Sequence, residues 1–156
     1  AWGEILSNEV VNSLVIYIKT FADRFGMELP KQKISIGMEP PFDDFSIAHG
    51  KKKYDELRCG RCHGENGEKE GELSKILKSF KGTSWFIYDL SRKDFYKGGS
   101  SGVDIYRTLT AGLDGSPMNS YDYISDIDRW NIVHFLQSLH SVKKNKKLLH
   151  SKIRFT

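Results

Sequence analysis

A chain of 156 residues, 38% apolar and 12% aromatic, has the length of one domain and a core that leans on large aromatic side chains. Its formal charge of +4 is spread along the chain, with short runs only at Lys51–Lys53 and Lys143–Lys147, which argues against nucleic acid and fits a solvated surface or a docking face for an acidic partner. Leu14 to Ile18, the longest apolar run near the start, falls far short of the roughly 20 residues that cross a membrane, and no secretory signal is visible, so an exported protein would be read here in mature or trimmed form.

The first element is a helix within AWGEILSNEVVNSLVIYIKTF, where Leu14, Ile18 and Phe21 recur at i, i+4 and i+7. Gly26 to Asp43, with Pro30, Pro40 and Pro41, reads as a linker that carries Met27 and Met38. A second helix is predicted over Ser46 to Leu57, with Ile47, Gly50, Tyr54 and Leu57 on one face. Glycine costs helix stability, so Gly50 on the inner face predicts close approach of another helix, the last one. His49 falls off that face and reads as solvated.

CGRCHG follows, with the only two cysteines of the chain, Cys59 and Cys62, and His63 next to them. A disulfide between thiols so close in sequence closes almost no loop. A thioredoxin-like pair belongs after a strand, whereas a helical pattern precedes this one. Zinc needs four ligands, and adjacent Cys62 and His63 cannot easily both reach one ion. The remaining chemistry is covalent haem: two thiols one helical turn apart can add to two vinyl groups on one porphyrin edge, and His63 then lies under the ring as an iron ligand. Its other ring nitrogen would donate to a backbone carbonyl.

A glycine-rich turn, Gly98 to Gly102, lacks any phosphate-binding spacing and reads as a connector to a helix over Gly102 to Thr110. After it comes AGLDGSPMNSY, an irregular loop by its two glycines and Pro117. Such a loop can carry the Met118 thioether inward to the far side of the iron; filling a gap in the core is the competing role for any methionine. The last helix is predicted over Ser125 to His140, opening with a capping-box-like Ser-Asp-Ile-Asp. Its stripe is Ile132, Phe135, Leu136 and Leu139, from which His134 points away and reads as solvated. His140 and His150 lie at or beyond the helix end, and 143–156 forms a basic tail.

CGRCHG, the Gly50/Tyr54 pair before it, the GSPMNSY loop and a closing helix with Ile132 and Phe135 together resemble a class I cytochrome c domain. The resemblance covers about Asp43 to Val142. It implies an all-α fold whose N- and C-terminal helices cross at a glycine around one covalently bound haem c, with one additional helix at the N-terminus of this chain. It also implies thioether links at Cys59 and Cys62, axial ligands His63 and Met118, and single-electron transfer between redox partners rather than enzymatic turnover. Pro117, Tyr121 and Trp85 are expected in the haem pocket, and Trp85, Tyr88 and Arg92 could line the propionate side, core packing being the alternative. More narrowly, the chain is similar to bacterial modules of multihaem electron-transfer subunits, some of which serve respiratory molybdenum enzymes. It departs from the family at Met118-Asn119, where Met-Pro is common, and at Glu68-Lys69-Glu70, where glycine-rich residues are common.

Laid on the last helix, the first segment matches it: Ser7 meets Ser125, Leu14 meets Ile132, Tyr17 meets Phe135, Ile18 meets Leu136 and Phe21 meets Leu139. The expected organisation is therefore residues 1–25 as the closing helix of an earlier cytochrome c domain, 26–43 as linker, 44–142 as haem domain and 143–156 as tail. A second haem would then lie upstream. A rival account makes the first helix an extension packed on this domain, or on another subunit. Haem attachment to thiols points to the bacterial periplasm. The rival functions are a haem subunit fixed in a larger oxidoreductase complex and an open-site peroxidase or gas sensor, which needs a distal acid–base residue.

Overall fold

The computed structural model describes residues 5–21, 33–79 and 81–153, with 141–153 as backbone alone. The chain divides into two units, 1–33 and 34–156. No helix among the described residues is long and apolar enough to cross a membrane.

In the first unit, helix α1 spans Asn8–Lys19. Ser7 caps it, its hydroxyl accepting from the Val10 N–H at 3.4 Å. The helix is shorter than the expected 1–25, and 1–4 and 22–25 lie outside the described residues. None of its residues is buried.

The second unit is all helix and loop among the described residues, apart from one isolated bridge between Lys78 and Ser84. It contains α2 (Asp44–Glu56), α3 (Gly60–His63), α4 (Gly102–Ala111) and α5 (Asp126–Ile153), with 3-10 turns at Glu72–Lys75 and Lys93–Phe95. A reciprocal capping box between Asp43 and Ser46 starts α2, and one between Ser101 and Asp104 starts α4. The glycine-rich connector thus ends in a cap. Ser125 starts α5 by accepting from the Asp128 N–H at 3.1 Å.

The crossing of α2 and α5 organises the unit. A Cβ placed on Gly50 would lie 1.8 Å from the Asn131 carbonyl oxygen, so the two backbones touch where glycine leaves room. One turn on, the Tyr54 and Phe135 rings meet edge to face at 5.2 Å. Helix α4 completes the core with Ile105, Tyr106 and Leu109, Tyr106 lying 4.9 Å from the Trp130 ring.

Segment 33–43, part of the expected linker, runs without regular structure but is bonded to α5 at Gly37 and Glu39. The Trp130 indole N–H donates to the Gly37 carbonyl at 2.9 Å, and Glu39 Oε1 lies 3.3 Å from His134 Nε2. This strap corrects the reading of His134, which is fully buried: its Nδ1 meets Ser46 Oγ at 2.9 Å and its ring meets Phe42. The α5 stripe faces the core while Trp130 and His134 form a second buried face under the strap. His49 is only partly exposed and bonds Asp128 at 3.1 Å. Helix α5 continues past His140 to Ile153, so much of the expected tail is helical.

Asp126 ties the strap side of the unit together, accepting from the Tyr106 hydroxyl at 2.8 Å and from the Arg129 guanidinium. The Tyr106 bond, reinforced by Arg129, holds its carboxyl below the usual range. A depressed carboxyl pKa stabilises the fold above the unfolded value, and that gain is lost as pH falls through the folded one. Asp126→Asn should therefore lower the melting temperature at pH 7 and converge with wild type as pH falls through the lowered carboxyl pKa, in thermal melts across the acid range. Gly50→Ala should cost about 3 kcal/mol in denaturant unfolding, because the methyl has only backbone to displace.

Candidate haem site

The attachment turn is held at both ends by Tyr54. Its carbonyl accepts the Cys59 N–H at 3.0 Å, and its buried hydroxyl donates to the Gly64 carbonyl at 2.7 Å. Between them the chain turns at Arg58, in the left-handed region at φ 58°, winds through α3 and leaves at Gly64 with φ 82°. A non-glycine residue at positive φ is uncommon, and Lys69 is another, at φ 65°, its N–H donating to the His63 carbonyl at 2.7 Å. That conformation accounts for glycine being at home in this stretch elsewhere.

Cys59 and Cys62 are free, partly buried thiols. Burial pushes the Cys59 thiol up to about 11, against the hydroxyl bond from Tyr121, and raises Cys62 as well. A reactive redox pair needs a lowered pKa, so the environment does not suit thiol–disulfide exchange. Burial lowers the His63 pKa, opposed by the Tyr88 carbonyl, which lies 3.3 Å from Nδ1. The expected acceptor for the second ring nitrogen is thus the Tyr88 carbonyl, and Nε2 is left to a metal.

Met118 is presented by a loop anchored on the end of α4. Tyr121 N–H donates to the Leu109 carbonyl at 2.9 Å and Ser120 Oγ to the Thr110 carbonyl at 2.8 Å. Within the loop, Leu113 N–H donates to the Met118 carbonyl at 3.0 Å. Gly112, at φ 70°, passes so close that a Cβ would lie 2.8 Å from that same carbonyl oxygen.

Cys59, Cys62, His63 and Met118 all line one cavity of about 410 Å³. Core residues Ile105, Leu109, Ile132 and Leu136 form its apolar floor. Pro117, Tyr121, Trp85 and Tyr88 line it, and Arg92 stacks over Phe95 at 4.2 Å. Two thiols, an imidazole and a thioether around an apolar cavity are a donor set that suits covalent haem, so the residues present fit the group. Among the described residues no cluster of three or more His, Cys, Asp or Glu could hold a metal ion instead.

The cytochrome c family profile matches residues 47–140. The chain belongs to the cytochrome c family. The family implies covalent haem c and haem-based electron transfer. No curated protein matches significantly. Among solved structures, a chain of the Kuenenia stuttgartiensis reducing HAO-like protein complex Kustc0457/Kustc0458 is similar, with 32% identity and a TM-score of 0.79 over 86% of this cytochrome. The match spans 62% of that chain, so this cytochrome covers less than two thirds of its length.

Sequence reasoning missed the support behind His63. The Leu90 carbonyl accepts from the Tyr96 hydroxyl at 2.7 Å and meets His140 Nε2 at 3.1 Å, while Leu90 N–H donates to the Gly67 carbonyl at 2.7 Å. These bonds pin the segment that carries the Tyr88 carbonyl. His140 lies at i+4 from Leu136, a spacing that already marks it as facing the core side. Tyr96→Phe should lose about 1 kcal/mol in denaturant unfolding of the haem-loaded protein.

Proposed function

We propose that this cytochrome is a single-electron carrier with one c-type haem in the described domain, linked through Cys59 and Cys62 and ligated by His63 and Met118. The convergence of these four side chains on one apolar cavity carries the reading. When bound, the haem supplies the one-electron couple of its iron. The protein supplies position. The Tyr88 carbonyl fixes the His63 ring and increases its basicity. The anchored loop presents Met118 with little freedom to move, and the floor of Ile105, Leu109, Ile132 and Leu136 excludes water. A thioether ligand favours the reduced state and raises the potential relative to a second histidine.

Its partners are redox proteins of the respiratory type, met through small, transient encounters that the basic surface steers toward acidic faces. The compartment is the bacterial periplasm, where haem is joined to thiols. A second reading, a haem-bearing subunit fixed in a larger oxidoreductase, draws support from the similar solved chain, which belongs to a named complex. It shares the site chemistry and differs in whether the protein diffuses. The open-site peroxidase or sensor reading has no comparable support, because a thioether shares the cavity with His63.

The oxidised wild type should show the weak long-wavelength absorption band of ferric iron bound to methionine sulfur. Met118→Ala should abolish the band and bind cyanide or carbon monoxide readily. A wild type that lacks the band and binds those ligands as readily as the variant would show an open site and overturn the reading.

A further inference from the structure

Helix α1 and helix α5 carry one pattern with opposite outcomes. In α5, Ile132, Phe135 and Leu136 are 1%, 5% and 3% exposed. Their counterparts in α1, Leu14, Tyr17 and Ile18, are 43%, 61% and 51% exposed. The correspondence extends to the caps. Ser7 accepts from the Val10 N–H and Ser125 from the Asp128 N–H, the same pair of positions when the two segments are laid together. Two unrelated amphipathic helices can share a stripe; sharing its register to the cap as well is a much narrower coincidence.

The crossing geometry of α5 then says what α1 would need. Asn131, whose carbonyl oxygen meets the space beside Gly50, corresponds to Ser13. A helix covering α1 would bring glycine against the Ser13 carbonyl and an aromatic ring against Tyr17, as Tyr54 meets Phe135. That is the first helix of a cytochrome c-type domain. More than a third of the similar solved chain lies outside its match to this one, which leaves room there for further structure.

We propose that α1 is the closing helix of a second cytochrome c-type domain on the same polypeptide, whose own first helix covers Leu14, Tyr17, Ile18 and Phe21. The inference rests on family membership and on the helix register, and is independent of which ligand opposes His63. Because the closing helix ends its domain, the remainder of that domain lies ahead of α1 in the chain.

The test is made on the natural full-length protein in its haem-loaded form. Proteolysis and mass spectrometry of the haem peptides should give two, one containing Cys59 and Cys62 and the other from a Cys-x-x-Cys-His ahead of α1. A single haem peptide overturns the proposal. Ile18→Asp should then lower one haem-linked thermal transition by about 5 °C or more and leave the methionine band of the Met118 site unchanged. If the Met118 site is the one disturbed, α1 covers its own domain and the proposal fails. If neither transition moves, α1 closes no haem domain and it fails equally. Absence of the Met118 band in the wild type would overturn only the ligand assignment and leave the haem count readable.

Discussion

The contact of two helix backbones at Gly50 is the constraint on which the site depends. Because a side chain there would strike the Asn131 carbonyl, α2 and α5 can approach closely only with glycine at the crossing. That approach seats Tyr54 against Phe135, and Tyr54 in turn holds the attachment turn through Cys59 and Gly64. A disturbance at the crossing therefore reaches the thiols through a single side chain. The opposite wall is built differently. Met118 hangs on the carbonyls of Leu109 and Thr110 at the end of α4, so its position follows α4 rather than the crossing.

The cavity between these walls is part of the core. Five of its lining residues, Tyr54, Ile105, Leu109, Ile132 and Leu136, belong to the buried apolar set, so a group that fills it packs against the same atoms that hold the helices together. Filling about 410 Å³ of apolar cavity is worth at most on the order of 10 kcal/mol by the cavity coefficient, less because one side opens to solvent. That upper bound is comparable to the whole stability of a domain this size. Holding such a group by covalent links keeps it with its core whatever the outside concentration.

The parts of the site legible in the sequence were those whose chemistry has few alternatives. Cys-x-x-Cys-His allows little else, a glycine on an apolar helix face signals close approach, and a Gly/Pro-punctuated methionine marks a loop. His134 is not legible in this way, because it is buried on a second face of α5 that the stripe through Ile132 does not reveal. The strap that buries the other face has no periodicity of its own: it pairs through the Gly37 carbonyl and the Glu39 side chain, which composition does not reveal. The extension of α5 past His140 was missed for a related reason. Clustered lysines weaken an amphipathic signal without lowering helix propensity.

Comparing α1 with α5 separates what a pattern states from what it leaves open. An apolar stripe requires cover, and in α5 the cover is visible as α2 and α4. The same stripe in α1 says only that a cover of matching shape exists. If α1 closes a domain as α5 does, the cap register and the crossing position turn that requirement into geometry: its partner brings a small residue to Ser13 and an aromatic to Tyr17. An acidic docking protein or a lipid surface would cover the stripe without meeting either condition. A cytochrome c first helix meets both, because Gly50 and Tyr54 already do so against the equivalent positions of α5.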